Sequence, residues 1–167
     1  DNDYEMCKIL NKKFKSYNNV NVFNSNIKIT KDKYDTILYM DVIEHIENDL
    51  NELNLACGKL TNNGKLIIVV PAFNFLFSDF DRDVGHYRRY EKKSFKIYVK
   101  DKDLKIINLK YFESLGFFIL MLSKLLNFKG RNNAVIGIKL WNLLMPISRF
   151  FDKLFFHQFG KSLICVI

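Results

Sequence analysis

The sequence lacks the features of disulfide-rich, zinc-binding and membrane-spanning proteins. Its 3 cysteines, Cys7, Cys57 and Cys165, are scattered and contain no CxxC pair, so neither a disulfide framework nor a thiolate zinc site is indicated. The most apolar run, Leu115 to Phe128, is interrupted by Lys124 and is shorter than the roughly 20 residues that a bilayer span needs. The opening DNDYEMCKILNKKF has no signal-peptide pattern, so we expect a cytoplasmic protein.

The composition is that of one globular domain with a substantial core. The chain has 167 residues, of which 49% are hydrophobic, and it contains 16 Phe and 8 Tyr. The net charge of +8 favours an anionic partner, which could be a nucleic acid, a phosphorylated substrate or an acidic membrane surface. The charge alone does not choose among these three classes.

Apolar periodicity predicts alternating helices and strands. The expected elements are a helix over residues 4–17, strands over 20–23 and 34–40, a helix over 46–60, a turn at 62–65, a strand over 65–72, a long loop over 73–95, a strand over 103–112, a set of basic apolar helices and a last strand over 160–167. Nearly continuous apolar strands separated by helices favour an α/β fold with a mainly parallel sheet and right-handed crossovers.

Several polar or loop positions fall where the predicted parallel strands end. They are Asp1, the segment 24–26, Asp41 and the segment 71–73. Ligands of parallel α/β sheets bind at the carboxyl ends of the strands, so we expect these positions to converge on one binding edge.

Three segments in the same order resemble class I S-adenosylmethionine-dependent methyltransferases of the ubiquinone type. DNDYEM resembles the end of the second strand of that fold, YDTILYMDVIEHI the fourth strand and its exit, and LTNNGKLIIVVPA the fifth strand. The resemblance implies a Rossmann-like methyltransferase fold with helices on both faces, a helical insert or lid over 113–160 before the last strand, and bound S-adenosylmethionine. The family's first strand and Gly-rich loop find no match, so we expect residues 1–167 to be a partial methyltransferase domain.

The resemblance also assigns the cofactor contacts. Asp1, at the end of the second strand, would accept hydrogen bonds from the ribose hydroxyls. Asn26 stands where the family often has an Asp that contacts the adenine, and an amide oxygen can still accept the adenine amino hydrogen. Met40 and Asp41, at the end of the fourth strand, would line the cofactor.

The stretch DVIEH has two interpretations. Asp41, Glu44 and His45 share one helical face if a helix begins near Asp41, in which case Asp41 caps that helix and Glu44 complements its dipole. Ubiquinone-type and small-RNA 2′-hydroxyl methyltransferases hold a divalent ion with a similar stretch, which implies a metal site made of Asp41, Glu44, His45 and His86. Carboxylates with imidazoles suit Mg²⁺, Mn²⁺, Fe²⁺ or Zn²⁺.

His45 and His86 are also the candidates for the general base. Methyl transfer needs an aligned acceptor with a free lone pair, and one neutral histidine suffices to take the proton of a hydroxyl. Tyr87 and Arg88 in HYRRY would contact the acceptor, because an arginine fork suits a carboxylate or a phosphate. Alternatively, the arginines of this loop pair with its own acidic residues.

The basic apolar segment before the last strand could lie on an anionic membrane or cover a lipid-like substrate, or it could be a lid or a dimer surface. Nucleic acid is the less favoured partner, because aliphatic bulk is interleaved with the cations. The expected function is methyl transfer from S-adenosylmethionine to an oxygen of a small or lipid-like acceptor. The alternative is a non-catalytic binding or scaffold protein that retains the sheet without the cofactor loop.

Overall fold

In the computed structural model of the chain, structure is described for residues 3–28, 32–126 and 134–167, without the side chains of 134–142. Asp1, the expected ribose ligand, lies outside these residues. The elements are α1 (Tyr4–Lys13), β1 (Tyr34–Met40), a 3₁₀ turn (Ile43–His45), α2 (Asp49–Gly58), β2 (Leu60–Pro71), a second 3₁₀ turn (Asn74–Leu76), α3 (Asp79–Asp83), α4 (Lys92–Val99), β3 (Asn108–Phe112), α5 (Ser114–Leu125), α6 (Ala134–Leu154) and β4 (Ser162–Val166).

Local capping fixes where the first helices begin. The Asp3 carboxylate accepts a hydrogen bond of 2.9 Å from the Met6 amide and so starts α1. The Asn48 side chain accepts one of 3.2 Å from the Asn51 amide and starts α2. The predicted helices at 4–17 and 46–60 are thus confirmed in shortened form, because the capping residues and not the apolar stripe set their ends.

The sheet has the strand order β1-β2-β4-β3. β1 and β2 pair in parallel, whereas β4 runs antiparallel to both β2 and β3. The expectation of a mainly parallel sheet is therefore wrong: the chain leaves β3 through α5 and α6 and returns with β4 inserted, in the opposite direction, between β2 and β3. The α/β class and the helical insert before the last strand are confirmed.

Three local predictions also fail. Residues 20–23 form no strand, and the expected turn at 62–65 lies inside β2. There Asn63 has a φ of 66°, and the β1–β2 register shifts between Tyr34 and Thr36, so the extra residues form a bulge. The long loop over 73–95 contains α3, which a reciprocal pair of hydrogen bonds between Ser78 and Asp81 starts.

The hydrophobic core lies on one face of the sheet. Alternate residues of β2, among them Leu66 and Ile68, are fully buried against Leu53 of α2 and Phe95 of α4. This packing fixes the two crossover helices against the sheet and leaves the strand ends accessible. On the other face Leu38 of β1 is 61% exposed. Within the described part of the chain, β1 has no strand partner on its outer edge.

α6 is the longest helix, with 21 residues and Pro146 inside it. Together with α5 it forms the apolar segment that the sequence placed before the last strand. Among the described helices, none combines the length and the apolar content that crossing a bilayer requires.

Candidate active site

The carboxyl ends of β1, β2 and β3 share one edge of the sheet, and the backbone is strained at each of them. Asp41 directly after β1 has a φ of 51°, Phe73 shortly after β2 has 62°, and Glu113 directly after β3 has 63°. Residues other than glycine rarely adopt this left-handed conformation, and such strain concentrates at functional sites. Three of the described non-glycine residues with a positive φ thus lie at the predicted binding edge.

The DVIEH stretch forms a 3₁₀ turn rather than the start of a helix. The His45 amide donates to the Val42 carbonyl at 3.1 Å, and α2 begins only at Asp49 with Asn48 as its cap. The interpretation in which Asp41 caps this helix is therefore wrong. The tight turn directs Glu44 inward, where it is completely buried, while His45 stays exposed.

The Glu44 carboxylate is completely buried. Neither of its oxygens has a hydrogen-bond partner in the described part of the chain. Burial raises the pKa of Glu44 to about 7, and the nearby charge of Asp41 adds to the effect. Buried polar atoms are nearly always paired, so the unpaired Glu44 carboxylate makes this position a candidate for binding a proton, a ligand or an ion.

His86 is held from behind by a buried acid. Its Nδ1 lies 2.9 Å from Oδ1 of Asp81, a fully buried residue that also accepts hydrogen bonds from Arg89 and Ser78. Burial alone would raise the pKa of Asp81, but the bonds from Arg89, His86 and Ser78 outweigh it and hold that pKa below its ordinary value. An ionised Asp81 can only accept, so Nδ1 of His86 donates this hydrogen bond, and in the neutral imidazole the Nε2 atom then carries the free lone pair.

The two histidines and Glu44 form one cluster. The imidazole rings of His45 and His86 meet edge to face with centroids 4.6 Å apart, and one ligand atom from each of Glu44, His45 and His86 lies within 4.8 Å of the other two. Gly85 forms the turn just before His86: its φ of 83° is a conformation that glycine adopts without strain, and its backbone lies close to the ring of His45. Three of the predicted metal and catalytic residues are thus brought together.

Asp41 borders the cluster without joining it. Partial desolvation and the charge of Glu113 raise the pKa of Asp41, while Lys161 and the two histidines moderate the rise. Glu113 itself accepts a hydrogen bond of 2.7 Å from Ser162 at the start of β4. The edge therefore carries two interacting acidic groups, of which Glu113 is buried and pairs with Ser162 and Lys161, whereas Asp41 is exposed to a polar ligand.

The two expected acceptor residues differ in their surroundings. The Tyr87 amide donates to the Glu44 carbonyl at 2.8 Å, which ties the loop to the 3₁₀ turn, and the Tyr87 ring is exposed beside the histidines. The Arg88 guanidinium lies 2.8 Å from an Asp49 oxygen and also donates to the Glu47 carbonyl. Arg88 thus braces the start of α2, and this pairing occupies much of its hydrogen-bonding capacity.

A cleft lies between α1 and β1, on the side where the adenine is expected. Its volume is about 430 Å³, which is within the range of small-molecule sites. Asn26 is part of its wall, and the Asn26 side-chain oxygen accepts a hydrogen bond of 3.0 Å from the Lys28 amide. The other wall residues are Leu10, Asn21, Val22, Phe23, Ser25, Ile27, Tyr34, Thr36 and Ile37. Met40, at the end of β1, is exposed next to the strained Asp41.

Sequence reasoning did not place three residues at this edge. The alternative in which the arginines of this loop pair with its own acidic residues is confirmed for Arg89 with Asp81. The burial of that pair behind His86 was not expected, although the Ser78-to-Asp81 spacing of a capping box could have located Asp81. Glu113 was not singled out, and no local signal distinguishes it. Phe73 also forms an aromatic wall here, because its ring stacks on Tyr111 with centroids 4.4 Å apart.

Comparison with known proteins identifies the fold. No family model and no curated relative matches the chain. Among solved structures, a SAM-dependent methyltransferase from Archaeoglobus fulgidus is 19% identical, with a TM-score of 0.59, over 99% of this chain and 72% of that one. Coclaurine N-methyltransferase bound to N-methylheliamine and SAH is 19% identical, with a TM-score of 0.57, over 99% of this chain and 58% of that one. A Haloferax volcanii methyltransferase in complex with the Trm112 activator is 11% identical, with a TM-score of 0.59, over 99% of this chain and 68% of that one. The chain therefore has the Rossmann-like fold of class I methyltransferases and spans only part of these neighbours' length.

Proposed function

We propose that this chain, which shares its fold with SAM-dependent methyltransferases, transfers a methyl group from S-adenosylmethionine to an oxygen of a small or lipid-like acceptor. The observation that carries the proposal is the position of His86. Its Nδ1 is fixed by the buried Asp81, and its ring packs against His45 at the edge where β1, β2 and β3 end. A histidine oriented in this way can take the proton of an acceptor hydroxyl as the methyl group is transferred.

The cofactor would lie along the end of β1. Asn26 and the cleft beside it receive the adenine, Met40 and Asp41 line the sulfonium half, and Asp1 binds the ribose. The coclaurine enzyme is described as bound to SAH, which supports a cofactor of this class in the shared fold. The strained φ of Asp41 supports its assignment, because such a conformation persists only where the surroundings or a ligand favour it.

The chemical step is an in-line displacement at the sulfonium carbon. S-adenosylmethionine, when bound, would supply the methyl group: a lone pair of the acceptor oxygen would form the new bond to the methyl carbon while the bond from that carbon to sulfur breaks, giving S-adenosylhomocysteine. The acceptor's hydroxyl proton passes to Nε2 of His86 or to the adjacent His45. The negative charge of Asp81 then stabilises the imidazolium that forms on His86. Alignment of donor and acceptor supplies most of the acceleration.

A divalent cation at the same place is a second candidate, favoured by the orphaned oxygens of Glu44. Glu44, His45 and His86 fit such an ion, because one carboxylate with two imidazoles is a common ligand set and the His86–Asp81 pair is the usual support of a metal-bound histidine. A bound ion would lower the pKa of the acceptor hydroxyl as a Lewis acid.

The acceptor would lie between Tyr87 and the aromatic wall of Phe73 and Tyr111. The insert over 113–160 would act as its lid, since α5 begins directly after the strained Glu113. The apolar wall supports a small or lipid-like acceptor. The charged contact expected of Arg88 becomes possible if the acceptor displaces part of its pairing with Asp49.

Calorimetric titration with S-adenosylhomocysteine, on the longest form of the protein that its gene encodes, tests the proposal. We expect a Kd of about 1 to 100 μM, weakened about tenfold or more by Asp41→Asn and unchanged by Asp101→Asn, a matched change in an exposed turn. A folded protein that binds no S-adenosylhomocysteine would refute the enzyme and leave the binding or scaffold alternative.

Titration with Mn²⁺ tests the second candidate independently of activity. If the cation binds, Glu44→Gln and His86→Ala each abolish the heat signal, whereas Glu47→Gln, a matched change at an exposed carboxylate nearby, leaves it intact. A heat signal that survives in Glu44→Gln would remove the metal site from the proposal.

A further inference from the structure

The outer side of α6 is apolar although it faces solvent. Leu143, Ile147, Phe150 and Leu154 are all exposed, and their spacing of three and four residues places them on one side of the helix. Together they form a continuous stripe of large apolar side chains, which we call the α6 stripe. Single exposed apolar residues are ordinary on protein surfaces, but contiguous stripes mark interaction sites.

Polar contacts on the opposite side of α6 fix the orientation of this stripe. Asp152 is buried, and its two oxygens accept hydrogen bonds from the Glu113 amide at 3.0 Å and the Ser114 amide at 2.7 Å. Ser148, also buried, accepts one from the Leu115 amide at 3.4 Å. These bonds cap the start of α5, so α6 cannot rotate its apolar stripe inward without losing them. α6 therefore turns Asp152 and Ser148 toward the protein and a stripe of apolar side chains toward solvent, which is the reverse of an ordinary surface helix.

α5 adds a second apolar surface to the same helical pair. The two helices contact each other, and the rings of Phe118 and Phe155 lie 6.0 Å apart. The exposed apolar residues of α5 and its end are Phe118, Ile119, Leu122, Leu125 and Leu126. The area is thus larger than one helix stripe, and it is contiguous with the strand-end edge because Lys124 donates to the carbonyls of Phe75 and Phe77.

The charges of this helical pair have one sign. Among its described side chains, those that are both charged and exposed are Lys124, Arg149 and Lys153, whereas the acidic Asp152 is buried. Arg149 and Lys153 lie one helical turn apart and flank the α6 stripe on one side. An apolar stripe bordered by cations matches the interface of an anionic bilayer, where acyl chains lie beneath negative headgroups.

We propose that the α5–α6 surface docks in the plane of an anionic lipid membrane, with the α6 stripe inserted to the level of the acyl chains. A second copy of this chain fits less well. A two-fold contact through this surface would place Arg149 and Lys153 of each copy against a surface on which the described side chains of α5 and α6 offer no exposed acid to pair with them. A nucleic acid would contact the cations but would leave the α6 stripe exposed to water.

Vesicle co-sedimentation of the full chain tests the docking. We expect binding to vesicles of phosphatidylcholine with phosphatidylserine, and much weaker binding to phosphatidylcholine alone. Ile147→Ser with Leu154→Ser should weaken binding by about tenfold per side chain. The matched control is Ile97→Ser with Leu50→Ser: those side chains are 70% and 56% exposed, against 48% and 53% on the stripe, and lie on other helices.

The charge contribution needs its own pair of variants. Arg149→Gln with Lys153→Gln should weaken binding about fivefold per charge, whereas Lys96→Gln with Lys100→Gln on α4 should leave it nearly unchanged. If the two double variants lost vesicle binding equally, or if the protein bound equally to both kinds of vesicle, the proposal would be overturned in favour of nonspecific attraction. A lipid-free dimer in light scattering that becomes monomeric in Ile147→Ser with Leu154→Ser would overturn it in favour of a second copy. Circular dichroism confirms that each variant is folded.

Discussion

Replacing Asp81 by Asn should remove more stability than any other single change of charge in this chain. The Asp81 carboxylate is fully buried and accepts from both nitrogens of the Arg89 fork, at 2.8 and 3.0 Å, as well as from His86 and Ser78. Asn keeps the shape but loses the charge and one acceptor, so the Arg89 guanidinium, whose side chain is only 7% exposed, remains buried without its counterion.

Breaking such a buried pair from one side costs about 3 to 5 kcal/mol, a large part of the roughly 5 to 15 kcal/mol that stabilise a domain. Urea unfolding at pH 7, followed by circular dichroism, measures the loss. Asp79→Asn is the matched control, because Asp79 pairs with Arg82 on the surface, where both side chains are about two-thirds exposed. That pair should contribute at most about 1 kcal/mol.

The pH dependence has a definite sign. The pKa of Asp81 is lower in the folded protein than in the unfolded chain, so its stabilising effect is complete above the unfolded pKa and is lost as the pH falls through the folded one. The difference in stability between wild type and Asp81→Asn should therefore shrink in acid. A loss below about 1 kcal/mol at pH 7, equal to that of Asp79→Asn, would refute the account of the buried pair.

Two further predictions concern Glu44 and Gly160. With a chelator present, the free energy of unfolding of Glu44→Gln should rise by about 3 kcal/mol relative to that of wild type between pH 5 and pH 8, because the raised pKa of Glu44 makes its ionisation costly only in the folded state. Urea unfolding at both pH values measures this difference, and a difference that does not change with pH would contradict it. Gly160→Ala should lower the melting temperature strongly, since its Cβ would lie 2.0 Å from the Phe112 carbonyl oxygen, whereas Gly58→Ala, with no atom within 4 Å, should have little effect in the same thermal scan. Similar melting temperatures for the two alanine variants would show that the backbone contact at Gly160 can relax.

The strands could be predicted from the sequence, but their order could not. The run that became β2 is rich in Ile and Val and is buried, which local composition reveals. The insertion of β4 between β2 and β3 depends on how the α5–α6 pair returns the chain, and no residue within β4 encodes its neighbours. Strand direction was therefore assigned from the α/β pattern, which describes the β1–β2 pair and fails for the other two.

For the candidate site, too, the sequence revealed the residue types but not their arrangement in space. Residue types identified Glu44, His45 and His86, because carboxylates and imidazoles after a strand are chemically conspicuous. Their geometry could not be predicted from a helical spacing, since the turn that holds Glu44 is a 3₁₀ turn. The pairing of Arg89 with an acid of its own loop could be expected, but its burial behind His86 could not. Its partner is eight residues away in sequence, and the loop must fold back on α3 before the two side chains meet.

Within the described part of the chain, the outer edge of β1 is open to a further strand. An edge strand presents a row of free amide and carbonyl groups, and natural proteins usually protect it with charges, a bulge or a covering segment. In the described part of the chain no strand covers this edge, and Leu38 and Met40 beside it are 61% and 55% exposed. The bulge opposite Tyr34 protects only the far end of the strand. The strand that brings Asp41 to the site can therefore take up one further strand along this edge through backbone hydrogen bonds.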